Sequence, residues 1–123
     1  MSGTTNRQAK TMGALKRTWI VVCSDTAARI LRWSADEDGL APVAQVAVAG
    51  GDPAPFPRAL SDTLLPCLAA HKFARLILVA PSASLNRLMS DLPAALSKVV
   101  VVEVCQDMME ASSEQIYAAV RDA

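Results

Sequence analysis

The apolar positions of this chain change their spacing from one half to the other. Trp19-Ile20-Val21-Val22-Cys23 is an unbroken run rich in β-branched residues, which predicts a buried strand. Ser24-Asp25-Thr26 supplies short polar side chains able to bond the local backbone, as turns require. From Ala28 to Trp33 the pattern partly alternates, with Ala28 and Ile30 on one side and Arg29 and Arg32 on the other. That predicts a second strand with one wet face. Asp36-Glu37-Asp38-Gly39 reads as a hairpin turn, and Leu40 to Val48 as a third strand.

Beyond this meander the spacing becomes helical. Gly50-Gly51-Asp52-Pro53-Ala54-Pro55 is too rich in glycine and proline for a regular element. Pro57 suits a first helical turn, and Leu60, Leu64 and Leu68 then recur every four residues. Pro66 falls within that stripe and removes a backbone donor, so a kink or two short helices are expected. Ala74 to Val79 is apolar on both faces and predicts a central strand. Leu85, Leu88, Met89 and Leu92 mark a helix starting near Ser84 and stopped by Pro93. Lys98 to Val104 is a strand made almost wholly of valine, and Ser112-Ser113-Glu114-Gln115 is a capping box opening a last helix.

The order β-β-β-α-β-α-β-α predicts a single α/β domain of ribonuclease H-like arrangement. An antiparallel meander is continued by right-handed βαβ units into a mixed five-stranded sheet with helices packed on it. With 123 residues, 52% of them hydrophobic, the chain is long enough to bury a real core. The domain is expected over residues 18–123.

Charge divides the chain differently. Residues 1–17 hold Arg7, Lys10, Lys16 and Arg17 and no acid, whereas the remainder carries 8 bases against 12 acids. This predicts a flexible basic arm on an acidic body. The arm lacks the apolar segment of a secretory signal, and no apolar run approaches the ~20 residues needed to cross a bilayer. A cytoplasmic protein without membrane insertion is therefore expected. Cys23, Cys67 and Cys105 are widely separated, and His71 is the sole histidine. Reduced, mostly buried thiols are predicted, and no zinc site.

Several stretches resemble a known family. They are Trp19 to Cys23 with Asp25 and Ala28-Arg29-Ile30; Phe73 to Pro81; Leu85-Asn86-Arg87-Leu88; and Leu96-Ser97-Lys98-Val99-Val100. Together they resemble the bacterial family called protein required for attachment to host cells, itself similar to the middle domain of peptide-chain release factors. The resemblance implies a non-enzymatic binding or interaction module acting inside a bacterial cell. Its alternative implication is an RNA- or ribosome-associated factor. The chain departs from the family pattern at Asn86, Met89 and Gln106-Asp107-Met108, where relatives carry Gly, Arg and Lys-Asp-Leu. Two basic positions are thus neutral here. The release-factor link also draws attention to Gly50-Gly51-Asp52, which stands where those factors hold a Gly-Gly-Gln loop. A carboxylate lacks the amide's donor and repels phosphate, so release activity is not expected.

Enzyme chemistry finds little footing. A two-metal nuclease needs converging carboxylates, and the first strand offers none within it. Asp25 and Asp62 are the residues such a reading would use, and it ranks last. No nucleophile elbow, dinucleotide fingerprint or phosphate-binding Gly-rich loop with Lys is present, so no cofactor is expected. His71 reads as a helix-end residue. Ser82 and Ser84 read as caps of the second helix, with Arg87 beside them, and the alternative use of the three is a weak anion site. Nucleic-acid contacts, if made, fall to Arg7, Lys10, Lys16, Arg17, Arg29 and Arg32. Trp33 and the third strand suggest a sheet edge for homodimer formation.

Overall fold

The computed structural model describes residues 18–34, 39–48 and 54–121. Five strands form one sheet in the order β3-β2-β1-β4-β5: β1 is Thr18–Cys23, β2 Ala27–Ser34, β3 Gly39–Ala47, β4 Arg75–Ala80 and β5 Val100–Cys105. β1 pairs antiparallel with β2 and β2 with β3, while β4 runs parallel to both β1 and β5. This is the mixed five-stranded α/β domain that the alternation of strands and helices predicts. Four helices cover it: α1 (Phe56–Ala69), α2 (Ser82–Asp91), the single-turn α3 (Ala94–Ser97) and α4 (Ser113–Arg121).

Burial splits by strand parity. On one face Trp19, Val21 and Cys23 of β1 join Ala28, Ile30, Leu76, Leu78 and Ala80 beneath α1, α2 and α3. On the other, Ile20, Val22, Leu31, Trp33, Ile77, Val79 and Val104 pack against Ile116 and Val120 of α4. Every residue of β1 is buried, as its unbroken apolar run foretold. Burying full aliphatic side chains on both faces supplies about 1.5–3 kcal/mol each relative to exposure.

Both edge strands carry an irregularity. Ile30 pairs with Ala44 but Leu31 with Pro42, which leaves Val43 as an extra residue in β3. Leu76 pairs with Val100 but Ile77 with Val102, which leaves Val101 extra in β5. Val43 and Val101 are the exposed large hydrophobic residues of the described chain. The extra residue in β3 also changes the face its side chains serve: Leu40 packs on the α4 side, and Ala44 and Val46 on the α1 side.

Four expectations are corrected. α1 is one helix running through Pro66, neither two pieces nor broken. Pro66 lies in the last turn, and the carbonyl it leaves without a donor belongs to exposed Asp62, within reach of water. Trp33 does not lie on an exposed edge. It is buried, its ring edge-on to Tyr117 of α4 at 5.6 Å between centroids. Nor is β2 wet on one face, because α4 and the segment before it cover that side. Cys23 is buried, but Cys67 is half-buried and Cys105 exposed.

The helix ends show how the sequence sets its boundaries. The capping box forms reciprocally: Gln115 N–H donates to Ser112 Oγ at 3.1 Å, and Ser112 N–H to Gln115 Oε1 at 2.9 Å. At the end of α1, Lys72 N–H donates to Cys67 O and His71 N–H to Leu68 O. That is the two-bond Schellman closure, which needs a left-handed residue, and His71 fills it with φ 62°. His71 thus ends the helix through its backbone, while its ring is exposed.

Candidate functional site

The carboxyl ends of parallel strands are where open α/β sheets place ligands. Here β1 leads into Ser24-Asp25 and β4 into Pro81 and α2, so two strand ends and two helix starts meet. The β1–β2 turn is closed by Ser24 N–H on Ala27 O at 2.9 Å, with Asp25 and Thr26 at its tip. Asp25 reaches across to α2. Its Oδ1 accepts the Ser84 hydroxyl at 2.7 Å and lies 3.3 Å from Arg87 Nη1.

The two contacts differ in weight. Ser84 is buried, and a hydroxyl bonded to a carboxylate contributes on the order of 1.5–3 kcal/mol. The Asp25 and Arg87 side chains are each about half exposed, at 50% and 49%, so water screens their attraction to about 0–1 kcal/mol. Phe56 and Pro57 of α1 and Leu88 of α2 close the corner and leave a gap of only about 10 Å³, room for one water.

Neither serine caps α2. Pro81 occupies the cap position and no side chain bonds the first turn. Ser82 is the first helical residue and exposed, whereas Ser84, two residues on, turns to Asp25. Met89 packs against the core on the α1 side, and Asn86 is exposed.

The other sequence candidates are scattered. Arg29 lies on the α4 face, where its Nη1 donates to Met109 O at 3.0 Å and Ala111 O at 2.8 Å, clasping the segment that leads into α4. Arg32 pairs with Trp19, whose ring belongs to the opposite face, and is exposed. The two arginines therefore do not form one patch. Arg7, Lys10, Lys16 and Arg17, and the Gly50-Gly51-Asp52 stretch, lie outside the described residues.

Asp25 and Asp62 line separate hollows, and no three of the described His, Cys, Asp and Glu side chains group as metal ligands. Burial pushes the Cys23 thiol up to about 12, so it stays neutral and un-nucleophilic at physiological pH. No described helix is long and apolar enough to cross a membrane.

The sequence gives no sign of the larger hollow, an open pocket of about 300 Å³ beside α1. Pro57, Arg58, Ser61, Asp62 and Leu65 line one wall, and Asp91 and Pro93 of the α2–α3 joint the other. The helical spacing of the first wall is visible in the sequence, but its meeting with a joint some thirty residues away is not.

Residues 49–120 match the sequence profile of bacterial archaeo-eukaryotic release factor family 12. The chain belongs to this family. The match runs from before α1 to the penultimate described residue of α4, so it covers β4, β5, the four helices and all the named walls of the larger hollow, but not β1 or Asp25. No curated protein matches the chain by sequence. Among solved structures, the fold resembles part of an archaeal protein at 15% identity and TM-score 0.51, over 97% of this chain and 40% of that one. It also resembles part of Dom34 of S. cerevisiae, described as a translation termination-like factor involved in RNA quality control and interacting with Hbs1. That likeness has 14% identity and TM-score 0.59, over 94% of this chain and 39% of Dom34. The chain thus spans about two fifths of these structures. The release-factor side of the sequence resemblance is the one these matches support; none of them bears the host-attachment name.

Proposed function

We propose that this protein is an RNA- or ribosome-associated factor that works by binding, not by catalysis, in the cytoplasm. The observation that carries the reading is its membership of the release-factor family across α1 to α4. The likeness in fold to a termination-like factor of RNA quality control supports the same setting. A binding role fits the corner at the ends of β1 and β4, where Asp25 already engages the polar groups of Ser84 and Arg87. It also fits Gly50-Gly51-Asp52, whose carboxylate stands where a release loop holds an amide. A direct part in host attachment has no comparable support and is set aside.

Density-gradient sedimentation with bacterial ribosomes, across a series of salt concentrations, tests this. Co-sedimentation that falls steeply between about 50 and 200 mM salt is expected, since phosphate contacts release counterions. Absence from ribosomal and RNA fractions at low salt would overturn the proposal.

A further inference from the structure

The larger hollow, beside α1, is shaped to receive a side chain from outside the molecule. Its near wall comes from one stripe of α1, where Arg58, Asp62 and Leu65 follow at i, i+4 and i+7, with Pro57 and Ser61 beside them. Pro57 and Ser61 are buried, whereas Arg58 and Asp62 are exposed, so charge collects at the rim and apolar surface on the floor. The polar side chain of the floor is already engaged: the Ser61 hydroxyl donates to Pro57 O at 2.8 Å. The far wall is held just as firmly. Leu92 and Pro93 are both extended, with ψ 142° and 151°, so the chain crosses from α2 to α3 without a helical turn. Leu92 is anchored in the core, and Pro93 O accepts the N–H groups of Leu96 and Ser97, each at 3.0 Å.

The rim is acidic on balance. Asp62 on the near wall and Asp91 on the far wall stand against Arg58 alone, and none of the three makes an ion pair with a described residue. The stretch that enters the pocket at Ala54 adds no cation, since Asp52 is the only charged residue of 49–53. At about 300 Å³ the hollow lies at the lower limit of ligand pockets, which run from about 300 to 1,000 Å³, so it suits a side chain and its neighbours. Two carboxylates repel the phosphates of RNA and favour ammonium or guanidinium groups. An apolar floor beneath an acidic rim matches a ligand with an apolar group to bury and cations flanking it. Lysine and arginine also lay their alkyl stems on apolar surface, which half-buried Leu65 and Pro93 offer here.

We propose that this hollow seats a basic segment of a partner protein, with an aliphatic side chain on the floor formed by Pro57, Leu65 and Pro93 and a flanking lysine or arginine against Asp62 and Asp91. The contact is separate from the Asp25 corner. It adds a protein partner to the RNA- or ribosome-associated reading without resting on it. Walls already set by α1 and by the α2–α3 joint spare the ordering that forming a pocket on binding would require.

The test titrates the whole chain into fluorescein-labelled Arg-Arg-Leu-Arg-Arg at low salt and follows fluorescence anisotropy. D62N/D91N changes two exposed positions, and a thermal melt checks that the variant folds. It should bind the peptide about tenfold more weakly than wild type, the scale of two exposed ion pairs. Replacing the peptide's leucine by serine should weaken binding about tenfold or more. R58Q removes the cation that opposes the ligand and should tighten binding about twofold. Weaker binding by R58Q would mean that the ligand needs Arg58, and would overturn a basic occupant. No binding by wild-type protein, wild-type-like binding by D62N/D91N, or equal binding of Glu-Glu-Leu-Glu-Glu would overturn it too. Spermidine competing as well as the unlabelled peptide would replace the protein segment with a polyamine and overturn the assignment. Tighter peptide binding by R7Q/K10Q/K16Q/R17Q would make the chain's own basic residues the occupant, with the same result. Each of these failures leaves the proposed function standing, because ribosome co-sedimentation is read without the peptide. Absent co-sedimentation with peptide binding intact would remove the ribosome reading alone.

Discussion

The two faces of the sheet are built to different depths. Seventeen buried residues form the core under α1, α2 and α3, and nine form the core under α4, among the described residues. The first face is closed by helices that each join buried β4 to an edge strand, α1 leading from β3 and α2 and α3 leading to β5. The second is closed by one nine-residue helix, reached through the Met108–Ala111 segment that Arg29 holds by two carbonyls. The difference teaches that one face owes its order mainly to apolar area, whereas the other also needs a charged clasp to set its helix.

Four substitutions would break or sharpen that contrast. Leu64→Ala should have the largest effect, about 3–5 kcal/mol by chemical denaturation, since Leu64 is fully buried in the thicker core. Ile116→Ala is equally buried but faces a core that a single helix can settle into, so a loss nearer 2–3 kcal/mol is expected. Equal losses would erase the distinction between the faces. Arg29→Met comes next. Losing charge-assisted bonds to Met109 O and Ala111 O should cost about 2 kcal/mol, and hydrogen exchange should quicken first in residues 108–121. Uniform quickening across the sheet would mean that Arg29 does not act as a clasp. His71→Gly should have the smallest effect and the opposite sign. Relief of a left-handed side-chain residue is expected to stabilise by up to about 1 kcal/mol, seen as a small rise in melting temperature.

These contrasts also explain how much could be read from the sequence. The strands of both faces were legible because their β-branched runs need both sides covered, and the capping box of α4 because its two partners lie three residues apart. The single turn α3 is not legible in the sequence, since four residues are too few to display a period. Burial of Trp33 is not legible in the sequence, because alternation along β2 says which residues share a face but not whether a helix will cover it. The Asp25–Ser84 bond joins positions 59 apart, and no local pattern announces it. The same holds for the α1 pocket, whose walls come from different helices. Of the family, only the release-factor link is legible in the strand and turn residues around β4 and α2; the host-attachment name finds no support in the matches.

The extra residues Val43 and Val101 have a consequence for how the molecule meets its own kind. Each sits on an outermost strand and throws the hydrogen-bonding rhythm out of step midway along, and Pro42 removes a further donor from β3. An approaching strand could match one half of such a border or the other, but not both. The sheet is therefore a poor template for growth at either side, and a crowded solution of this protein should resist fibre formation although valine dominates β5.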